Sequence, residues 1–119
     1  PQIYSLEVST GRVRRLTYEG SYNTSPAWSP RGDRIAYAGL TGAKYSIFIT
    51  TPDGQLHQRI TGSEGSNEDP AWSPDGRFLA FCSDRSGQKE IYIMRSDGSG
   101  QKKITFGKGN KAEPAWSPF

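Results

Sequence analysis

The chain has 119 residues, 33% of them hydrophobic, with 14 Gly, 8 Pro and a formal net charge of +3. No apolar run approaches the roughly 18 residues of a membrane-spanning helix, and the basic residues are spread along the chain rather than gathered into a nucleic-acid footprint. A single cysteine, Cys82, excludes an intrachain disulfide.

The abundance of Gly and Pro suits short strands joined by turns, and the chain reads that way from its first residues. Ile3–Leu6 and Val13–Thr17 are two predicted strands around a Thr10-Gly11 turn, followed by a polar loop over 20–25. Pro26–Ser29 is a short strand whose Trp28 is large enough to anchor a core. Pro30-Arg31-Gly32-Asp33 then supplies turn chemistry. Ile35–Ala38 follows as a strand, 39–44 as a loop and Tyr45–Ile49 as a third strand. Pro52-Asp53-Gly54 is a hairpin signal, and His57–Thr61 closes the set. The same plan returns with Trp72, Leu79–Cys82, Glu90–Met94 and Lys102–Thr105, and residues 114–119 read as a first strand alone.

That return is periodic. Pro-Ala-Trp-Ser-Pro begins at Pro26, Pro70 and Pro114, 44 residues apart each time. The register carries Gly32 onto Gly76, Ala36 onto Ala80, Ile3 onto Ile47 and Ile91, and Leu16-Thr17 onto Ile60-Thr61 and Ile104-Thr105. A fixed period of this size marks a repeat architecture. Four antiparallel strands per repeat, with apolar runs such as Ile91–Met94 that load both faces of a strand, predict an all-β fold. Each repeat is then a β-propeller blade packed on both sides. The expected division is a partial blade over 1–25 (strands three and four), complete blades over 26–69 and 70–113, and an innermost strand over 114–119. An open meander or two-sheet sandwich is the alternative. About 2.7 repeats cannot close a ring of 4–8 blades, so a longer chain or a multi-chain ring is expected to supply the rest.

Candidate chemistry is sparse. Ser29, Ser73 and Ser117 recur, but none lies in Gly-x-Ser-x-Gly, and a nucleophile needs a base in reach. His57, the only histidine, occupies a slot held by Val13 and Gln101 in the other repeats, as an exposed outer-strand residue would. Glu68, Asp69 and Glu113 offer oxygen ligands for Ca²⁺, yet no Asp-x-Asp-x-Asp-Gly loop surrounds them. No catalytic residue, metal or cofactor is expected. Cys82 reads as a small buried hydrophobe, Asp84-Arg85 as a local ion pair, and Lys102, Lys103, Lys108 and Lys111 as a solvated face. No charged-then-apolar leader follows residue 1.

The pattern Pro-x-Trp-Ser-Pro-x-Gly, apolar strand, Ile-Tyr/Phe-Ile, Asp-Gly, Ile-Thr resembles the propeller repeats of the TolB family. Gly20–Ser25 before the first Pro-Ala-Trp, Asn67-Glu68-Asp69 before the second, and the ending Pro-Ala-Trp-Ser-Pro-Phe sharpen the likeness. The resemblance implies the last blades of a six-bladed propeller that follows a small α/β domain. It also implies a periplasmic role in the Tol–Pal envelope system of Gram-negative bacteria, as a non-enzymatic scaffold. Its partner would be the peptidoglycan-associated lipoprotein, Pal, bound by the loops that lead into each innermost strand. The matching positions are Tyr22, Thr24 and Ser25; Ser66, Glu68 and Asp69; and Asn110, Ala112 and Glu113. Asn67 would add a further acceptor at the rim. A propeller segment of a prolyl-oligopeptidase-like peptidase, or a blade unit that self-assembles into a ring, is the alternative.

Overall fold

The computed structural model describes residues 1–118. It holds ten strands, all paired antiparallel, and no helix among those residues. β1 (Tyr4–Glu7) and β2 (Arg12–Arg15) form a two-stranded sheet. β3 (Asn23–Trp28), β4 (Ile35–Thr41), β5 (Lys44–Thr50) and β6 (His57–Arg59) form a four-stranded sheet in chain order. β7 (Asn67–Trp72), β8 (Phe78–Ser83), β9 (Glu90–Arg95) and β10 (Lys102–Lys103) form another. This is the all-β propeller fragment that the 44-residue period predicts.

The strands carry apolar side chains on both faces, and the structure uses both. Ala36, Ala38, Ile47 and Ile49 face Leu79, Phe81, Tyr92 and Met94 in the main core between the two large sheets. The alternate residues Ile35, Tyr37 and Phe48 turn the other way and meet Ile3 and Leu16 of the small sheet. Each fully buried Leu, Ile or Phe contributes about 1.5–3 kcal/mol relative to exposure, so the sheets are bound face to face by their strand centres. β7 lies against β3, β4 and β5, whereas β6 and β10 do not approach each other. The sheets therefore meet near their first strands and fan apart at their fourth.

Several element ends differ from the sequence expectation. β3 and β7 begin three residues before the Pro-Ala-Trp motif, because a β-bulge between Thr24 and Ala27, and between Glu68 and Ala71, absorbs the proline. Proline has no N–H to give to a ladder, and a bulge lets pairing resume beyond it. The expected loop over 39–44 is a tight hairpin, with Thr41 paired to Lys44 across Gly42 and Ala43. The fourth strands are shorter than predicted. Leu16-Thr17, Ile60-Thr61 and Ile104-Thr105 lie beyond the ends of the fourth strands, and each threonine hydroxyl accepts the amide of an isoleucine in or just before strand three, Ile3, Ile47 or Ile91, at 2.9 Å. Residues 114–118 carry no strand, since no described residue forms a ladder with them; Phe119 lies outside the described residues.

Candidate functional site

Two of the three tryptophans tie successive repeats together. The Trp72 indole N–H donates to the Ala27 carbonyl at 2.8 Å, and the Trp116 indole repeats this with Ala71, also at 2.8 Å. Segment 114–118 thus lies on the second large sheet as β7 lies on the first. Trp28, expected to anchor a core, is 54% exposed.

Immediately ahead of each Pro-Ala-Trp, the backbone enters the left-handed region at a residue other than glycine. Ser25, Asp69 and Glu113 all have φ of 55°. Such a conformation costs on the order of 1 kcal/mol or more and persists only where its surroundings hold it. The bulge supplies that hold in β3 and β7. The expected rim residues therefore sit partly within strand one: Thr24, Ser25, Glu68 and Asp69 are strand residues and half-buried. Tyr22, Asn110, Ala112 and Glu113 are exposed outside strands.

Three of these positions also brace the rim from within. The Ser66 hydroxyl accepts the Tyr45 amide at 3.0 Å, and one repeat later the Asn110 carboxamide oxygen accepts the Lys89 amide at 2.8 Å. The Tyr22 carbonyl accepts the Leu40 amide, and its ring meets Tyr45 edge-on. Asn67 needs correction: it is fully buried rather than a rim acceptor. Its amide donates to the Glu64 carbonyl, and its Oδ1 accepts from Arg85. Glu68 lies 3.9 Å from the Lys89 ammonium.

Arg85 does not pair with Asp84 as expected, because neighbouring side chains diverge. The Asp84 carboxylate accepts the Ser66 amide. Arg85 folds inward over the stacked Phe81 and Tyr92 rings, 4.7 Å from the Tyr92 centroid. Its nitrogens reach Ser83 Oγ at 3.0 Å, Gln101 Oε1 at 2.6 Å and Asn67 Oδ1 at 2.9 Å. It thereby plugs the junction between the two large sheets, a role that no sequence motif announced. The lysines near the C-terminus are not simply solvated. Lys111 Nζ is 2.8 Å from Oε1 of Glu90, which is buried, and Lys103 lies 3.8 Å from the other oxygen. The Lys111 contact holds the Glu90 carboxyl below the usual carboxylate range against the opposing effect of burial.

Ser29 and Ser73 are buried turn braces: Ser73 Oγ donates to Asp75 and accepts the Phe78 amide. Burial pushes the Cys82 thiol up to about 11, and it donates to the Lys111 carbonyl, so it is an inert packing residue in the native fold. Among the described residues, no three His, Cys, Asp or Glu side chains converge as a metal site.

Comparison with known proteins fits this geometry. The model of the TolB beta propeller domain matches residues 24–119. The Tol-Pal system protein TolB of Francisella tularensis subsp. mediasiatica is 38% identical over 61 residues, which are 50% of this chain and 14% of that protein. A structure assigned as TolB of Agrobacterium tumefaciens superposes with a TM-score of 0.90 at 34% identity, over 98% of this chain and 42% of that one. TolB of Acinetobacter baumannii gives 0.85 at 27% identity, over 99% of this chain and 30% of that one. The chain thus spans less than half the length of these proteins, and its repeats superpose on the two structures almost throughout. With its period, its fanned four-stranded sheets and its linked tryptophans, it belongs to the TolB beta propeller domain family.

Proposed function

We propose that this chain is the docking portion of a Tol–Pal-type protein, a non-enzymatic scaffold of the periplasm whose first-strand rim receives the lipoprotein Pal. The observation that supports it best is the repeated left-handed backbone at Ser25, Asp69 and Glu113. Three successive repeats hold a non-glycine residue in a costly conformation at one position, and such strain gathers where a surface is held for binding. Two of the three are carboxylates, and Glu68 adds a third at the second repeat. The rim is therefore acidic and rigid, suited to backbone amides or basic side chains of a protein partner. The relatives are named as Tol-Pal system proteins, which supports a partner from that system.

The test is calorimetric titration of Pal with the native protein and with Glu68→Lys and Asp69→Asn. Asparagine tolerates the left-handed region, so Asp69→Asn removes charge and keeps the backbone. Both variants should weaken Pal several-fold with melting temperatures close to native. Unchanged affinity in both would remove the rim from the interface.

A further inference from the structure

The repeat offers an internal comparison. At the junction of the two large sheets, Arg85 fills the space in front of the stacked Phe81–Tyr92 pair and is held by Asn67, Gln101 and Ser83. One repeat earlier, at the junction of the small sheet with the first large one, the aromatic pair and the asparagine of that socket recur without the plug, while Gly39 stands in the place of Ser83 and offers no hydroxyl. Tyr37 and Phe48 stack in the same way, with centroids 5.4 Å apart and planes 12° from parallel. Asn23 stands where Asn67 stands, buried, with its Nδ2 donating to Gln2 Oε1 and the Glu19 carbonyl. His57 stands where Gln101 stands. Its Nε2 meets the Gly54 carbonyl at 3.0 Å as Gln101 Nε2 meets that of Gly98 at 2.9 Å. Thr41, however, occupies the position of Arg85, and its hydroxyl is engaged with Lys44 and Ser46 at its own hairpin.

The result is a cavity of about 540 Å³, lined among others by Glu19, Asn23, Tyr37, Thr41, Phe48 and His57. A volume of this size is typical of a binding pocket for a small group. We propose that this cavity is a receptor for the guanidinium of an arginine side chain presented by a partner protein, seated as Arg85 is seated in the neighbouring junction.

The chemistry favours that group. A carbonyl only accepts, so His57 carries its proton on Nε2. Nδ1 then accepts the Tyr37 hydroxyl at 2.9 Å, and the phenol oxygen keeps lone pairs for an incoming donor. Glu19 is the one carboxylate among the lining residues, and none of them is Lys or Arg. Its field reaches Tyr37, whose hydroxyl is pushed up to about 12 first by burial and then by this charge. In the plugged junction a carboxylate of the equivalent loop, Glu64, one frame position further on, lies 3.9 Å from Arg85. A flat aromatic pair, oxygen acceptors at its edge and one carboxylate match a planar guanidinium better than a compact ammonium. The nearby arginines of the chain are engaged elsewhere: Arg15 on the Thr17 carbonyl and Tyr18, Arg59 on Ser46 and the Gly62 carbonyl.

The experiment is an NMR titration of the ¹⁵N-labelled protein with Nα-acetyl-arginine amide, with Nα-acetyl-lysine amide as the competitor chemistry. Saturable shifts at the Asn23 side-chain amide and the His57 ring, several-fold tighter for arginine, are expected. Thr41→Arg should plug the socket, abolish these shifts and raise the melting temperature. Arg85→Thr should open the second socket and add a second set of shifts at Asn67 and Gln101. Glu19→Gln, a lining substitution outside the sheets, should weaken arginine several-fold even if a hairpin variant fails to fold. The absence of saturable shifts, equal affinity for lysine, or a response unaltered by both Thr41→Arg and Glu19→Gln would overturn the proposal. The readout is independent of Pal, so it stands or falls apart from the rim.

Discussion

Gly98 offers a sharp test of how the hairpins seat on the preceding sheet. It has φ of 89°, and a Cβ there would run into the Ile60 carbonyl oxygen, with the Ile60 Cβ at 3.1 Å. Gly42, in the β4–β5 hairpin, has φ of 66° but open space where its Cβ would stand. Alanine at either position carries the left-handed penalty of about 1–2 kcal/mol. The gain from a stiffer unfolded chain applies to both and cancels in the comparison. Only Gly98→Ala adds overpacking against backbone, which costs about 1–3 kcal/mol. A chain of this size loses about 4 °C of melting temperature per kcal/mol. Gly98→Ala should therefore melt about 4–12 °C below Gly42→Ala by differential scanning calorimetry. Equal losses would show that the Asp97-Gly98 turn is not pressed onto the strand-four exit of the sheet before it.

Trp72→Phe removes the indole donor from Ala27 and should cost on the order of 1 kcal/mol in urea denaturation beyond its change of size. Trp28→Phe, at a half-exposed ring, should stay within about 0.5 kcal/mol of native, and the reverse order would contradict the tryptophan linkage. Glu90 has its folded-state pKa depressed below 4.5 by Lys111. Its contribution to stability is thus present above the ordinary carboxylate value and is lost as pH falls through the folded one. The stability gap between native protein and Glu90→Gln should accordingly narrow as urea melts are taken from pH 6 towards acid, while a constant gap would show that the Lys111 pair carries no weight.

The element inventory was legible because a repeat states its plan more than once. Ile3, Ile47 and Ile91 align in the sequence, and all three donate to the threonine that the same frame assigns to them. The early start of β3 and β7 was hidden, because a proline inside a strand reads as a boundary when the bulge that accommodates it depends on the partner strand. Asn67 looked like a rim residue for the same reason. Only the folded sheet, which brings Arg85 back over it from the far end of β8, reveals that its carboxamide is spent inside.

The sequence by itself determined the period, the strand count of each repeat, the two-faced apolar strands and the membership these imply. Those are properties of local pattern, and a pattern repeated in one chain confirms itself. Tertiary structure alone decided which equal positions became unequal. Trp72 is buried and donates to Ala27, whereas Trp28, identical in frame, is half-exposed. Burial and pairing belong to what lies across the interface, and residues identical in frame meet different neighbours there.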